Sequence, residues 1–108
     1  MPRGKEIAVD ASASKFYFDG CEQNVDRQTG EIRTTEDGTN RWFVYALEKK
    51  EGKQGSTPLK VHVASKNNPC IGFTDYQPLG IKGLKYMQSF DKNGGLIEWY
   101  TAESIAKA

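Results

Sequence analysis

Apolar and polar residues alternate along much of the chain with the two-residue period of half-buried β-strands, not the 3.6-residue period of helices. The clearest stretch is Pro58-Leu59-Lys60-Val61-His62-Val63-Ala64. It predicts a strand with Leu59, Val61 and Val63 inward and Lys60, His62 and Ala64 outward. Three consecutive aromatics, Phe16, Tyr17 and Phe18, predict an earlier strand that Gly20 ends or bends. Arg41 to Glu48 predicts another, in which Arg41, Phe43, Tyr45 and Leu47 share one face and Trp42, Val44 and Ala46 the other. Both faces are apolar, so two registers stay open: Phe43 and Tyr45 point outward, or Trp42 does. Leu79 to Gln88 reads as a fourth strand, with Gly80 and Gly83 marking a bulge or the coiling of a small barrel. Leu96 to Ile105 closes the set as a fifth.

The connections carry their own signals. Between the first two strands, Gln28-Thr29-Gly30 and Glu36-Asp37-Gly38-Thr39-Asn40 are turn sequences flanking the stretch Glu31 to Thr35, which predicts a long hairpin-like loop. Residues 65–78, with Asn67-Asn68-Pro69, Gly72 and Pro78, predict a loop with at most one helical turn. Asp91-Lys92-Asn93-Gly94-Gly95 is a hairpin turn, because Asn and Gly accept positive φ without strain. Residues 1–13 read as a flexible arm in which Ile7 and Val9 can add a short edge strand, and residues 14–108 as a single domain. Five strands with little or no helix predict a small Greek-key barrel, whose closure would remove exposed edges. An open two-sheet sandwich ordinarily needs about seven strands.

A length of 108 residues fits one domain. Hydrophobic residues at 37% and charged residues at 27% describe a globular chain, which excludes a wholly disordered or collagen-like one. No apolar run approaches the ~18 residues of a spanning helix, so no membrane partner is expected. The segment from Met1 to Ser14 lacks the basic start and apolar stretch of a signal peptide. Cys21 and Cys70 form no CxxC pair, and two reduced thiols in a cytoplasmic protein are expected over a disulfide.

The net charge of +1 implies no polyanion partner by itself, but its distribution is uneven. Asp19 to Asp37 holds six acids and two bases, net −4, whereas Lys49 to Lys92 holds eight lysines and three acids, net +5. A fold gathering those lysines on one side would carry a basic face; scattered, they are solubilising charges.

Catalytic and metal constellations are not suggested. His62 is the one histidine, with no orienting acid or nucleophile indicated nearby, and reads as a surface or strand-packing residue. Cys21, Cys70 and His62 lack metal spacing and offer three ligands at most. The glycines form no GxxxxGK phosphate loop, and the adjacent carboxylates Glu36-Asp37 are a turn signature first. The expectation is a non-enzymatic protein without metal or cofactor.

The order of these pieces over roughly residues 15–105 resembles small OB-fold proteins of the single-stranded-DNA-binding kind, carried on actinobacterial plasmids and integrative elements. The resemblance rests on the Asp26-Arg27-Gln28-Thr29-Gly30 and Asp37-Gly38-Thr39-Asn40 turns and on Trp42-Phe43-Val44-Tyr45. Gly80-Ile81-Lys82-Gly83-Leu84 and Tyr100-Thr101-Ala102-Glu103-Ser104-Ile105 complete it. Lys85 to Phe90 departs from it, lacking the more apolar, proline- or tryptophan-containing stretch those proteins lead one to expect. The resemblance implies a five-stranded Greek-key OB-fold barrel and a part in replication or transfer of a mobile element.

An OB-fold commonly binds oligonucleotides across its second and third strands, between flanking loops. Single strands are held by bases stacked on aromatic rings and phosphates tracked by Lys and Arg. With Val44 and Ala46 inward, Phe43 and Tyr45 face out beside Lys60 and His62. Lys49, Lys50 and Lys53 lie in the next connection, and Lys82, Lys85 and Tyr86 on the fourth strand. These ten residues are the expected single-stranded-DNA site. Phe16, Phe18 and Trp99 are assigned to the core, and Phe73 and Tyr76 to a lid over it. RNA is the competing nucleic acid, and dimerisation would lengthen the site. The alternative function is a protein-interaction module that docks a replication protein through the aromatic face and the acidic loop. A small hydrolase or metal protein is a distant third.

Overall fold

Alternation becomes strand pairing in the computed structural model, which describes residues 5–108. The elements are β1 (Lys5–Ala8), β2 (Ser14–Gln23), β3 (Arg41–Lys50), β4 (Thr57–Ala64), β5 (Pro78–Lys82), β6 (Lys85–Phe90), β7 (Leu96–Ala102) and β8 (Ser104–Lys107). No helix occurs among the described residues, so none is long and apolar enough to cross a membrane. The chain is all-β. Of the arm expected over residues 1–13, residues 1–4 lie outside the described residues, and Lys5–Ala8 pairs with β6 as an edge strand.

The five-strand closed barrel is corrected by the pairing. Eight strands form one open mixed sheet in the order β1-β6-β7-β4-β3-β2-β5-β8, antiparallel except where β4 runs parallel to β7. Two expected strands are each split, and one contact accounts for both breaks. Gly83 separates β5 from β6 with φ +68°, a left-handed conformation that a Cβ would strain. A Cβ there would also meet Glu103 Cγ at 2.7 Å. Glu103 is the residue between β7 and β8, and its N–H donates to the Lys82 carbonyl at 2.9 Å. The neighbouring strands therefore kink together.

β2, β3 and β4 form an antiparallel meander with long ladders. β2 continues beyond the aromatic run to Gln23, because a register shift between Phe18 and Gly20 bends the strand instead of ending it. The core lies on one face of this meander. Val44 and Val61 are fully buried, with Phe16, Phe18, Ala46, Leu59, Val63, Leu79, Leu84 and Cys70 around them. The inward set expected on β4 is the observed one. Phe73, from the loop after β4, stacks on Phe18 with ring centroids 5.1 Å apart.

The loop between β2 and β3 folds as two successive turns. Asp26 Oδ1 accepts the Gln28 N–H at 2.8 Å in the first, and the Gly38 N–H donates to the Thr35 carbonyl at 3.0 Å in the second. Isolated bridges Val25–Ile32 and Thr34–Asn40 hold the loop together. The β6–β7 hairpin turns at Asp91, whose Oδ1 accepts the N–H groups of Asn93 and Gly95.

Candidate nucleic-acid interface

Burial on β3 decides the register that the sequence leaves open. Val44 and Ala46 are buried and Phe43 and Tyr45 lie on the opposite, partly exposed face. Trp42 is tied down by its indole N–H, which donates to the Ser65 carbonyl at 2.9 Å. Pairing then sets Phe43 opposite His62 and Tyr45 opposite Lys60.

Phe43, Lys60 and His62 form a close group. The Lys60 Nζ stands 3.9 Å from the centroid of the Phe43 ring. The His62 ring meets Phe43 edge-on, with centroids 4.8 Å apart and planes at 88°. A cation over an aromatic face is attracted by the ring quadrupole, by about 0.5–1 kcal/mol at exposed sites. The ammonium is held where it can be displaced at small cost by a flat, π-bearing ligand.

Beside this group the sheet opens. β4 and β7 pair only over Val61–Val63 and Tyr100–Ala102. Upstream no ladder joins Pro58–Lys60 to Ile97–Trp99, and a cleft of about 470 Å³ lies between them. Lys60, His62, Tyr86, Trp99 and Tyr100 line it, together with the carboxylate-bearing Glu98. Tyr86 and Tyr100 pack edge to face at 5.8 Å. His62 also lines an adjoining cleft of about 240 Å³ with Arg41, Thr35 and Ala64, and the last three continue it towards the β2–β3 loop. The result is a trough that crosses the sheet from the β6–β7 hairpin to that loop, with His62 at its middle.

The electrostatics of the trough are cationic around His62. Burial pushes the imidazole pKa below its ordinary 6.5, and the Lys60 and Arg41 charges push it further the same way. Among the described residues the one ion pair is Lys85–Glu6, so neither Lys60 nor Arg41 is matched there by a carboxylate. The depressed histidine has a consequence for stability. Below 6.5 the unfolded chain takes up a proton that folded His62 resists, so stability is lost as pH falls through that value. Thermal melts between about pH 7 and pH 5 should show a decline that is shallower in His62→Gln, which lacks the titrating ring. Equal declines in both proteins would remove His62 as the cause.

The remaining expected site residues lie elsewhere or are engaged. Tyr45 is adjacent, but its hydroxyl donates to Glu22 Oε1, a bond that raises its pKa. Lys49, Lys50 and Lys53 gather at the far end of β3, where with Lys15 and Tyr17 they border a separate hollow of about 420 Å³. Lys82 is paired in register with Ser104 on the opposite wing of the sheet. Lys85 is ion-paired to Glu6 of β1 at 2.5 Å. The structure thus brings together Phe43, Lys60, His62 and Tyr86 and separates the other lysines from them.

Sequence reasoning missed Trp99 and Arg41. Trp99, assigned to the core by its size, is half-buried and lines the cleft. Arg41 shares the outward face of β3 with Phe43, a signal that strand parity contains. No group of three or more His, Cys, Asp or Glu side chains placed to hold a metal occurs among the described residues. Comparison of the chain with protein-family models, with curated proteins and with solved structures finds no match.

Proposed function

We propose that this protein binds single-stranded DNA without catalysis, in the trough running from the β6–β7 hairpin to the β2–β3 loop. The observation that carries this reading is the Phe43–Lys60–His62 group, whose Lys60 and His62 line a trough with Tyr86 and Trp99 at one end and Arg41 at the other. Bases stack on Phe43 and Trp99, and Lys60 leaves the Phe43 ring to meet a phosphate. Arg41 neutralises a second phosphate. A duplex presents its bases stacked and paired, so rings in a trough offer it nothing.

The sheet underlying this reading is open and mixed, with the expected fourth and fifth strands each broken in two, β5 with β6 and β7 with β8. The pairings support it. β4 pairs with β7, which continues past Glu103 into β8, and β8 pairs with β5, which pairs with β2. The β2–β3 loop and the β6–β7 hairpin flank the trough, as the loops of OB-folds flank their ligand. Service in replication or transfer of a mobile element is the role this reading gives the protein.

The test is anisotropy of a labelled thymine oligonucleotide titrated at several salt concentrations, with a duplex control. Neutralisation of two phosphates by Lys60 and Arg41 releases condensed counterions, so log K should fall against log salt with a slope between about −1 and −2. Absence of binding at low salt overturns the proposal. A second reading, a module that docks another protein, is favoured by the exposure of Leu96 and Ile97 at 50% and 45% on the hairpin. Salt-insensitive capture of a replication protein, without DNA binding, would select it.

A further inference from the structure

Cys21 and Cys70 are 49 positions apart in sequence, yet the fold brings both against one side chain, Asn68. Cys21 stands half-buried on β2, just past the bulge, and Cys70 is buried in the loop between β4 and β5. Asn68 links them. Its Oδ1 accepts the Cys70 backbone N–H at 2.9 Å and the Cys21 thiol at 3.7 Å. Cys21 packs against the core cluster that contains Cys70. Neither residue lines the trough, so the binding reading leaves this pair without a task.

We propose that Cys21 and Cys70 are a paired oxidation site that a hydroperoxide converts to one intramolecular disulfide. Cys21 thiolate attacks the peroxide, forming an S–O bond as the O–O bond breaks, and the second oxygen leaves as hydroxide or alkoxide and takes up a proton. Cys21 is now a sulfenic acid, oxidised by two electrons, and the peroxide is reduced to water or an alcohol. Cys70 sulfur then attacks the sulfenic sulfur. The S–S bond forms, the S–O bond breaks, and the Cys70 proton leaves with the departing hydroxide as water.

The environments assign the order. The neighbouring Cys70 thiol lowers the pKa of Cys21, outweighing its desolvation and the Glu22 charge, and Cys21 is the more exposed of the two. Cys70 is pushed the other way by Cys21 and by burial, so it stays a thiol until the sulfenic acid forms beside it. The bridge would fasten the loop between β4 and β5 to β2. That loop already touches β2, where the Tyr76 N–H donates to the Phe18 carbonyl and the Phe18 N–H to the Gln77 carbonyl.

The experiment is hydrogen peroxide treatment of the native full chain, followed by alkylation in denaturant and peptide mass mapping. The expected product is a monomer lacking two hydrogen atoms and inert to alkylation, with Cys21 joined to Cys70 and both thiols restored by dithiothreitol. Cys21→Ser should slow oxidation of Cys70 at least about tenfold, because the buried thiol is the poorer nucleophile. Cys70→Ala should leave Cys21 as a sulfenic acid that dimedone captures. Direct over-oxidation of Cys21 with Cys70 left reduced in the native chain would overturn the proposal, as would bridges that form only between molecules or only after unfolding.

Discussion

Phe43→Ala is expected to weaken binding of a thymine oligonucleotide by about 5- to 150-fold, the equivalent of the ~1–3 kcal/mol that one stacked base contributes. Phe43 stands on the exposed side of β3, fenced by the edge of His62 and capped by the Lys60 ammonium. Its removal takes away the stacking platform and also the ring that positions Lys60 when no ligand is present. Because Val44 and Ala46 on the other face hold the core, the fold should survive. The check is anisotropy of the variant alongside a thermal melt. Trp99→Ala, at the hairpin end of the trough, should cost a similar factor. The two losses should multiply if each ring holds a different base. Unchanged binding in Phe43→Ala, with an intact melt, would remove the trough as the site.

The largest effect on stability is expected at Phe18. This ring is 7% exposed, sits among the ten buried core residues and stacks on Phe73. Phe18→Ala removes most of a buried aromatic side chain and leaves a cavity that the surrounding β-sheet can refill only in part. The cost is about 3–5 kcal/mol, set against a total of about 5–15 kcal/mol for a domain of this kind. Urea denaturation should therefore shift to a midpoint lower by roughly 2 M, with an unchanged slope. Phe73→Ala should cost less, since that ring is half-buried and its loop can settle inward. A Phe18→Ala midpoint close to that of the unmodified protein would mean that the core is not centred on β2.

Local patterns were enough to read the strands that have one dry and one wet face. On β4, Leu59, Val61 and Val63 alternate with polar neighbours, and they are the inward set. The turns at Asp26, Gly38 and Asp91 were equally legible, because Asp and Gly carry local hydrogen-bonding and φ preferences that no distant partner is needed to explain. β3 was not decidable, since Trp42, Val44 and Ala46 are as apolar as Phe43, Tyr45 and Leu47. Only the neighbours on β2 and β4 choose between those faces.

What the sequence concealed depends on pairs of distant residues. The break in the expected fourth strand needs Glu103 against Gly83, twenty positions later in the chain (103 − 83). Lys85 looks like a free base until Glu6 is seen beside it. Trp99 looks like core by type, and becomes a wall of the trough because β7 leaves β4 before reaching it. Lys49, Lys50 and Lys53 share a strand end with the site in sequence, but the length of β3 carries them away from Phe43. Hydrophobic type and charge sign are local properties; which face is wet and which charge is paired are not.

The short parallel junction between β4 and β7 bears on how the chain folds. β2, β3 and β4 pair with their immediate sequence neighbours, so closing each ladder costs little loop entropy. The junction must instead join Val61 to Tyr100, and β1 must find β6 across most of the chain. Contacts of that reach slow folding and form after the local ones. The meander can thus assemble first, with Phe43, Lys60 and His62 already neighbours, while the trough has no second wall. If the trough is the binding site proposed above, competence to hold a ligand arrives only with the last pairing step, and a chain caught before it displays its aromatic rings without a cleft beside them.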